Sequence, residues 1–280
     1  MIHCKELNKS FVNKNEMFKE IVKNKEEIIS FKKSQIQKSF EKGGSLKAKV
    51  IDSSKLTEQI KGVKFEDNYY YIAVNSTRIL DSHSDLHLDP IWDFTVKAQQ
   101  GKNYLVDTHV LSIGTTIARK EHIEMFTAKV PFSVIGKNYK GDTVVLIYKI
   151  AKDKIIDKKA KEWLDSGDDI EASVRMQYVT IEFCLNSTEK GDETFLSNFE
   201  KYYPIIANKE DFEEEIYYFW AISEAKNINE SSLVLFGSNN ATGQIVSNED
   251  TKAAEQALYK QEADAQSLQR KQLLTNILNN

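Results

Sequence analysis

The sequence predicts an α+β protein built on a closed or nearly closed antiparallel sheet. Two observations point there. Segments rich in β-branched and aromatic residues dominate the middle of the chain. Helix-like stretches interrupt them irregularly, without the strand–helix alternation that builds a parallel sheet. A third feature concerns the two ends, which read as helices of different character.

Taken in order, residues 16–40 form the first element. Phe18, Val22, Ile29, Ile36 and Phe40 are separated by 4, 7, 7 and 4 positions, with Ile21 and Ile28 alongside. That spacing lays one apolar stripe along a Lys/Glu-rich helix. Gly43-Gly44 ends it. The stripe needs a surface to cover, and either the body of the protein or a partner chain would serve. Deleting residues 1–45 is expected to spare catalysis. Strands are expected at 46–51, 69–75, 110–118, 143–150, 170–185, 216–222 and 232–236, with helices at 154–166 and 209–215. Gly136 to Thr143 has the glycines of a phosphate loop. However, Asp142 stands where the lysine belongs and a strand follows, so the segment reads as a hairpin turn. Beyond residue 246 the composition turns to Ala, Gln, Glu and Lys. Ser247 and Asp250 approximate a capping box, and large apolar residues return only at Leu273, Leu274, Ile277 and Leu278. The chain thus divides into a basic helical arm (1–45), a central domain (46–246) and a helical or flexible tail (247–280).

Composition narrows the classes. A chain of 280 residues that is 41% hydrophobic can bury a sizeable core and is not a disordered segment. Its apolar runs fall far short of the roughly 20 residues that span a bilayer. The lysine-rich start lacks the apolar stretch of a signal peptide. Two cysteines, Cys4 and Cys184, make a poor disulfide framework, which suits a reduced, cytoplasmic setting; Cys184 reads as a small buried hydrophobe. Net charge is −4, but residues 1–49 hold twelve lysines against six acids, a net of +6, leaving −10 for the remainder. Such asymmetry suits an interaction arm. No aromatic stacking residues interleave the lysines, so nothing beyond charge points to nucleic acid.

Chemistry concentrates in four segments. Along 170–178, Ala172, Val174, Met176 and Tyr178 point one way, while Ser173, Arg175 and Gln177 point the other. Ser173 is thus a small hydroxyl on a polar strand face, with a cation two residues along. A serine needs a neighbouring base to become nucleophilic near neutral pH. The chain offers five histidines: His3, His83, His87, His109 and His122. The other three segments are Asp107-Thr108-His109 with Ser112-Ile113-Gly114, the helix-like 158–166, and Glu230-Ser231-Ser232-Leu233-Val234 followed by Gly237-Ser238-Asn239.

The order and spacing of these segments resemble the prohead (procapsid) maturation proteases of tailed bacteriophages, relatives of the herpesvirus assemblins. The resemblance covers roughly residues 70–245. Asn24-Lys25-Glu26-Glu27-Ile28-Ile29 also resembles the Lys-rich arm of Bacteroidetes-phage members. It implies a herpesvirus-protease type of barrel surrounded by helices, with His109 as general base, Ser173 as nucleophile and Glu230 as the carboxylate orienting the histidine. Asp107 is a local alternative for that third role, and some related viral proteases use a second histidine. Where many members carry Ser-x-Gly-Phe, this chain has Ser173-Val174-Arg175-Met176. Arg175 either favours a developing oxyanion or pairs with Asp168, Asp169 or Glu171. The resemblance further implies a serine endopeptidase needing no cofactor. It would act in the host cytoplasm inside assembling procapsids, with the major capsid and scaffold proteins as partners and with itself as a further candidate substrate. A weak homodimer is expected, and no membrane.

Two alternatives remain at this stage. One is a non-catalytic capsid-assembly or scaffold protein on the same fold. The other is a metal-dependent hydrolase. His83, Asp85, His87 and Asp89 would share one face of an extended strand at i, i+2, i+4 and i+6, which is ligand chemistry for a divalent metal. Downstream only His109 and His122 remain, neither in a paired motif. The resembling family has a non-catalytic Asp-rich stretch here, roughly matched by Asp81, Asp85 and Pro90.

Overall fold

The computed structural model describes residues 1–37, 65–81, 83–166, 170–212, 215–235 and 243–245. The expected strand at 46–51, the Gly43-Gly44 stop, Phe40, the Gly237-Ser238-Asn239 turn and the 247–280 tail lie outside the described residues.

The protein is α+β. A small hairpin pairs β1 (Ile2–Cys4) with β2 (Lys9–Phe11). It leads into helix α1 (Lys14–Ser34). Asn13 caps α1 reciprocally: its Oδ1 accepts from the Glu16 N–H at 3.0 Å and its Nδ2 donates to Glu16 Oε1 at 3.1 Å. The surface that α1 covers is the body of its own chain. Met17, Phe18, Ile21 and Ile28 join the main core cluster with Tyr178, Phe183 and Trp220. Deleting residues 1–45 therefore strips side chains from the core, contrary to the expectation of a dispensable arm.

Two sheets build the body. One is an antiparallel four-stranded sheet in the order β11–β3–β8–β7, from β3 (Tyr69–Ser76), β7 (Ile123–Pro131), β8 (Asp142–Ala151) and β11 (Gly243–Ile245). The β7–β8 link carries the turn expected in place of a phosphate loop, with Gly136 at φ 71° in the left-handed region. The other sheet is organised around one long strand, β10 (Tyr218–Val234). On one side β10 pairs antiparallel with β9 (Glu171–Leu185). On the other it pairs in parallel with β4 (Asp85–His87) near its start and with β5 (Tyr104–Asp107) near its end. The short β6 (Thr116–Ala118) extends the sheet beyond β5. Helices α2 (Asp93–Ala98), α3 (Lys158–Ser166) and α4 (Glu193–Tyr202) complete the body.

The expectation of a closed antiparallel sheet needs correcting. Among the described residues the strands form separate sheets that do not close, and the central one is mixed. The parallel pairings of β4 and β5 join segments more than 120 residues apart in sequence, so no local pattern announces them. Three smaller corrections follow. The strands expected at 216–222 and 232–236 are not separate: Tyr218–Ile222 and Ser232–Val234 both belong to β10, whose middle is polar and bulged at Ile222/Glu224, Glu224/Ala225 and Asn227/Ser231. Only Thr116–Ala118 of 110–118 is strand, because Thr116 Oγ1 donates to Ser112 O at 2.6 Å and holds the preceding residues in a turn. Of the helix expected at 209–215, the described residues show a single 3₁₀ turn, Lys209–Asp211.

Candidate active site

Ser173 and Glu230 come from neighbouring strands, and His109 from the turn that follows a third. Ser173 lies on β9, where alternation between the two faces holds from Ala172 to Tyr178, and its register partner on β10 is Ser232. Glu230 lies on β10 two residues before Ser232, so both project from one face. His109 follows directly on β5, whose Val106 pairs with Ser232 from the opposite side. The central strand thus brings the end of β5 towards the nucleophile's strand.

The side chains meet in a line. Ser173 Oγ is 2.7 Å from His109 Nε2, and His109 Nδ1 is 3.0 and 3.1 Å from the two oxygens of Glu230. A carboxylate only accepts, so Nδ1 carries the ring proton and leaves the Nε2 lone pair facing the serine hydroxyl. Glu230 is 0% exposed, Ser173 2% and His109 8%. Asp107, the local alternative to Glu230, is exposed at the end of β5 and makes no contact with the ring among those described.

The backbone around the site is unusual. Thr108 (φ 47°) and His109 (φ 57°) are consecutive non-glycine residues in the left-handed region, and Asn229 (φ 68°) immediately precedes Glu230. Such residues cost about 1–3 kcal/mol each and gather at functional sites. At Asn229 the reason is visible. Between Asn227 and Ser231, β10 carries two residues more than the facing stretch of β9, and the bulge re-aims Glu230. At His109, the N–H is held by Ser232 Oγ at 2.8 Å, a contact with no sequence signal beyond a pair of adjacent serines. The loop after His109 presents Val110, Leu111 and Ile113 to solvent, with Ile113 almost wholly exposed.

Arg175 shares the strand face of Ser173, but no hydrogen bond or salt bridge among the described residues ties it to the three. Its Nε is buried without a hydrogen-bond partner. Asp168 and Asp169 lie outside the described residues, and with Glu171 Arg175 forms no salt bridge.

The His83–Asp89 residues do not converge. Only Asp85–His87 is strand, Ser84 is left-handed at φ 58°, and Asp89 opens a 3₁₀ turn. His83 is exposed. Asp85 bonds Lys32 Nζ at 2.6 Å. Asp89 takes Arg78 in a fork at 2.9 and 2.6 Å. His87 accepts from Asn75 Nδ2 and donates to the Tyr178 hydroxyl, both at 3.2 Å, while Tyr178 bonds Asp85 and Trp92 Nε1 donates to Asn75 Oδ1 at 2.8 Å. Among the described residues no group of three or more ligand-type side chains could hold a metal. Any hydrolysis that the protein performs is therefore expected to persist in EDTA; loss in chelator with recovery on adding zinc would restore the metal reading.

Two groups of this buried segment are strongly perturbed. Burial, reinforced by Asp85, pushes Asp81 up to about 7, and burial holds His87 down at about 4 and therefore neutral. The two act oppositely on stability. Asp81's contribution is fully present below about pH 4 and is lost as pH rises towards 7; that of His87 is present above about 6.5 and is lost as pH falls towards 4. Asp81 Oδ1 accepts from the N–H groups of His83 and Asp85 at 2.8 and 2.9 Å, contacts that an amide oxygen retains. Asp81→Asn should therefore gain stability relative to the parent as pH rises. Melting both proteins at pH 4.5 and pH 8 checks this, and an unchanged difference would exclude Asp81 as the source.

Set beside known proteins, the chain matches no family model, no curated protein and no solved structure. Any functional reading accordingly rests on the site itself.

Proposed function

We propose that this protein is a serine endopeptidase with Ser173 as nucleophile, His109 as general base and Glu230 as the group that orients the base. The observation that carries the reading is the unbroken Ser173–His109–Glu230 line, formed by residues 64 and 121 positions apart. A purely architectural protein gains little from burying a glutamate against a histidine or from holding two adjacent residues left-handed.

The chemistry follows from the geometry. Ser173 Oγ attacks a peptide carbonyl carbon as His109 Nε2 takes its proton, and the carbonyl π electrons move to oxygen. When the tetrahedral species collapses, the C–N bond breaks and His109 returns the proton to the leaving amine, giving a serine ester. Water then attacks the ester with the same base, and Ser173 regains its proton. Glu230 stabilises the imidazolium formed in each half. Arg175, with a free buried Nε on the nucleophile's face, is the group offered to the oxyanion.

The motif order supports a place among the phage procapsid maturation proteases, on a scaffold related to the assemblins. The substrates would be capsid and scaffold chains, met inside the assembling shell in the host cytoplasm, with a weak homodimer as a natural concentration switch. The test of the enzyme reading is covalent labelling. A fluorophosphonate should modify Ser173 alone, and peptide mapping that finds no adduct there would count against it. Glu230→Gln should slow labelling by about 10³- to 10⁴-fold through loss of the oriented tautomer; an unchanged rate would remove Glu230 from the site.

A further inference from the structure

We infer that Ser232 is a positioning residue, the clamp that fixes His109 in a conformation competent to accept the proton of Ser173. The inference rests on the triad reading above.

His109 needs such a clamp. Thr108 and His109 are both left-handed, a conformation that disfavours side chains with a Cβ by roughly 1–2 kcal/mol per residue. β5 ends at Asp107, so the two residues that turn the imidazole back over β10 lie beyond the last paired position. Two N–H hydrogen bonds hold their backbone. Thr108 N–H reaches Leu233 O at 3.1 Å, and His109 N–H reaches Ser232 Oγ at 2.8 Å. The first is main chain to main chain and survives any substitution. The second depends on one hydroxyl.

That hydroxyl is fully committed. Ser232 is 0% exposed. Its single proton goes to Val106 O at 3.0 Å or Leu233 O at 3.1 Å, leaving its lone pairs to accept from His109. It is also the register partner of Ser173 on one side and of Val106 on the other. One side chain thereby ties the base's backbone to the strand between base and nucleophile. Alanine at 232 leaves a buried N–H without its acceptor at the residue already carrying strain. The loop then relaxes, and Nε2 moves off the serine. A displacement of about 1 Å at a reacting group costs on the order of 10²-fold in rate.

The experiment uses the full chain and two readouts. The first is the rate of Ser173 modification by a fluorophosphonate, in the parent, Ser232→Ala, Ser232→Cys, His109→Ala and the Ser232→Ala/His109→Ala pair. Ser232→Ala should label roughly 10- to 100-fold more slowly, Ser232→Cys should recover part of the loss, and in the His109→Ala background Ser232→Ala should change nothing further. The second readout is the proton resonance of His109 Nδ1–H, assigned by its disappearance in His109→Ala. Ser232→Ala should shift or broaden it. A normal rate with an unmoved resonance in Ser232→Ala overturns the positioning role and leaves the triad standing. An equal further loss in the His109→Ala background also overturns it, since Ser232 would then act on the fold at large. Absence of labelling in the parent, with a resonance that still moves in Ser232→Ala, sinks the peptidase reading but keeps the clamp. Absence of labelling with an unmoved resonance sinks both.

Discussion

Ser173→Ala should abolish peptide-bond cleavage, by on the order of 10⁶-fold where the uncatalysed background can be measured, with almost no change in thermal stability. The removed hydroxyl bonds His109, and the ring keeps both its contacts to Glu230. The strand is untouched, because Ser173 pairs with Ser232 through main-chain groups. His109→Ala should cost about as much, since nucleophile and base act as one unit, and the double variant should be scarcely worse than either single one. Residual cleavage within tenfold of the parent in purified Ser173→Ala protein would mean that the triad is not the catalytic apparatus.

The second large effect concerns stability rather than rate. Lys32 of α1 reaches into the body, bonding Asp85 at 2.6 Å and the carbonyl of His83 at 3.2 Å, and lying 5.6 Å from the Trp220 ring. It is the only cation paired with Asp85 among the described residues. Removing one member of a buried pair leaves the other charge uncompensated, a loss of about 3–5 kcal/mol. Lys32→Ala should therefore lower unfolding free energy by about that much at pH 8. Burial already holds the carboxyls of Asp85 and Asp81 above the usual range, so at pH 5 they escape the penalty by taking up protons, and the loss should shrink. Asp85→Asn in the Lys32→Ala background should recover part of the stability. Urea titrations at both pH values measure all three effects. A loss under about 0.5 kcal/mol at pH 8 would show that the pair contributes nothing to holding α1 in place.

The sequence made some of this legible and hid the rest for identifiable reasons. Period-two alternation is a local signal, so the face of Ser173 could be read from 170–178, and β3, β8 and β9 stand within a residue or two of their expected bounds. The grouping of Ser173, His109 and Glu230 came from motif order, a signal that already contains tertiary information. β4 and β5 are three and four residues long and pair in parallel with a strand far along the chain, so neither has a pattern of its own. The middle of β10 is polar where it is buried: Asn227 Nδ2 and Ser231 Oγ donate to the Tyr148 hydroxyl at 2.5 and 3.0 Å. Hydropathy therefore breaks the strand exactly where tertiary hydrogen bonding sustains it. The partners of Asp85, His87 and Asp89 were hidden for the same reason, because Lys32, Tyr178 and Arg78 are supplied from elsewhere in the chain.

The length of β10 has a dynamic consequence. Its first residues pair with Asp85, beside the buried ionic network, and its last ones carry Glu230 and Ser232. Seventeen residues of one strand are paired with β9 along one side, while β4 and β5 hold its two ends on the other, so the strand ties the two regions together. Deuterium should therefore enter the amides of β10 only through opening of the whole body, at free energies approaching that of global unfolding. Catalytic competence and folding then become one cooperative property. A molecule that has lost its site in this way has also exposed its core, so inactive but folded chains contribute little to a thermally stressed population.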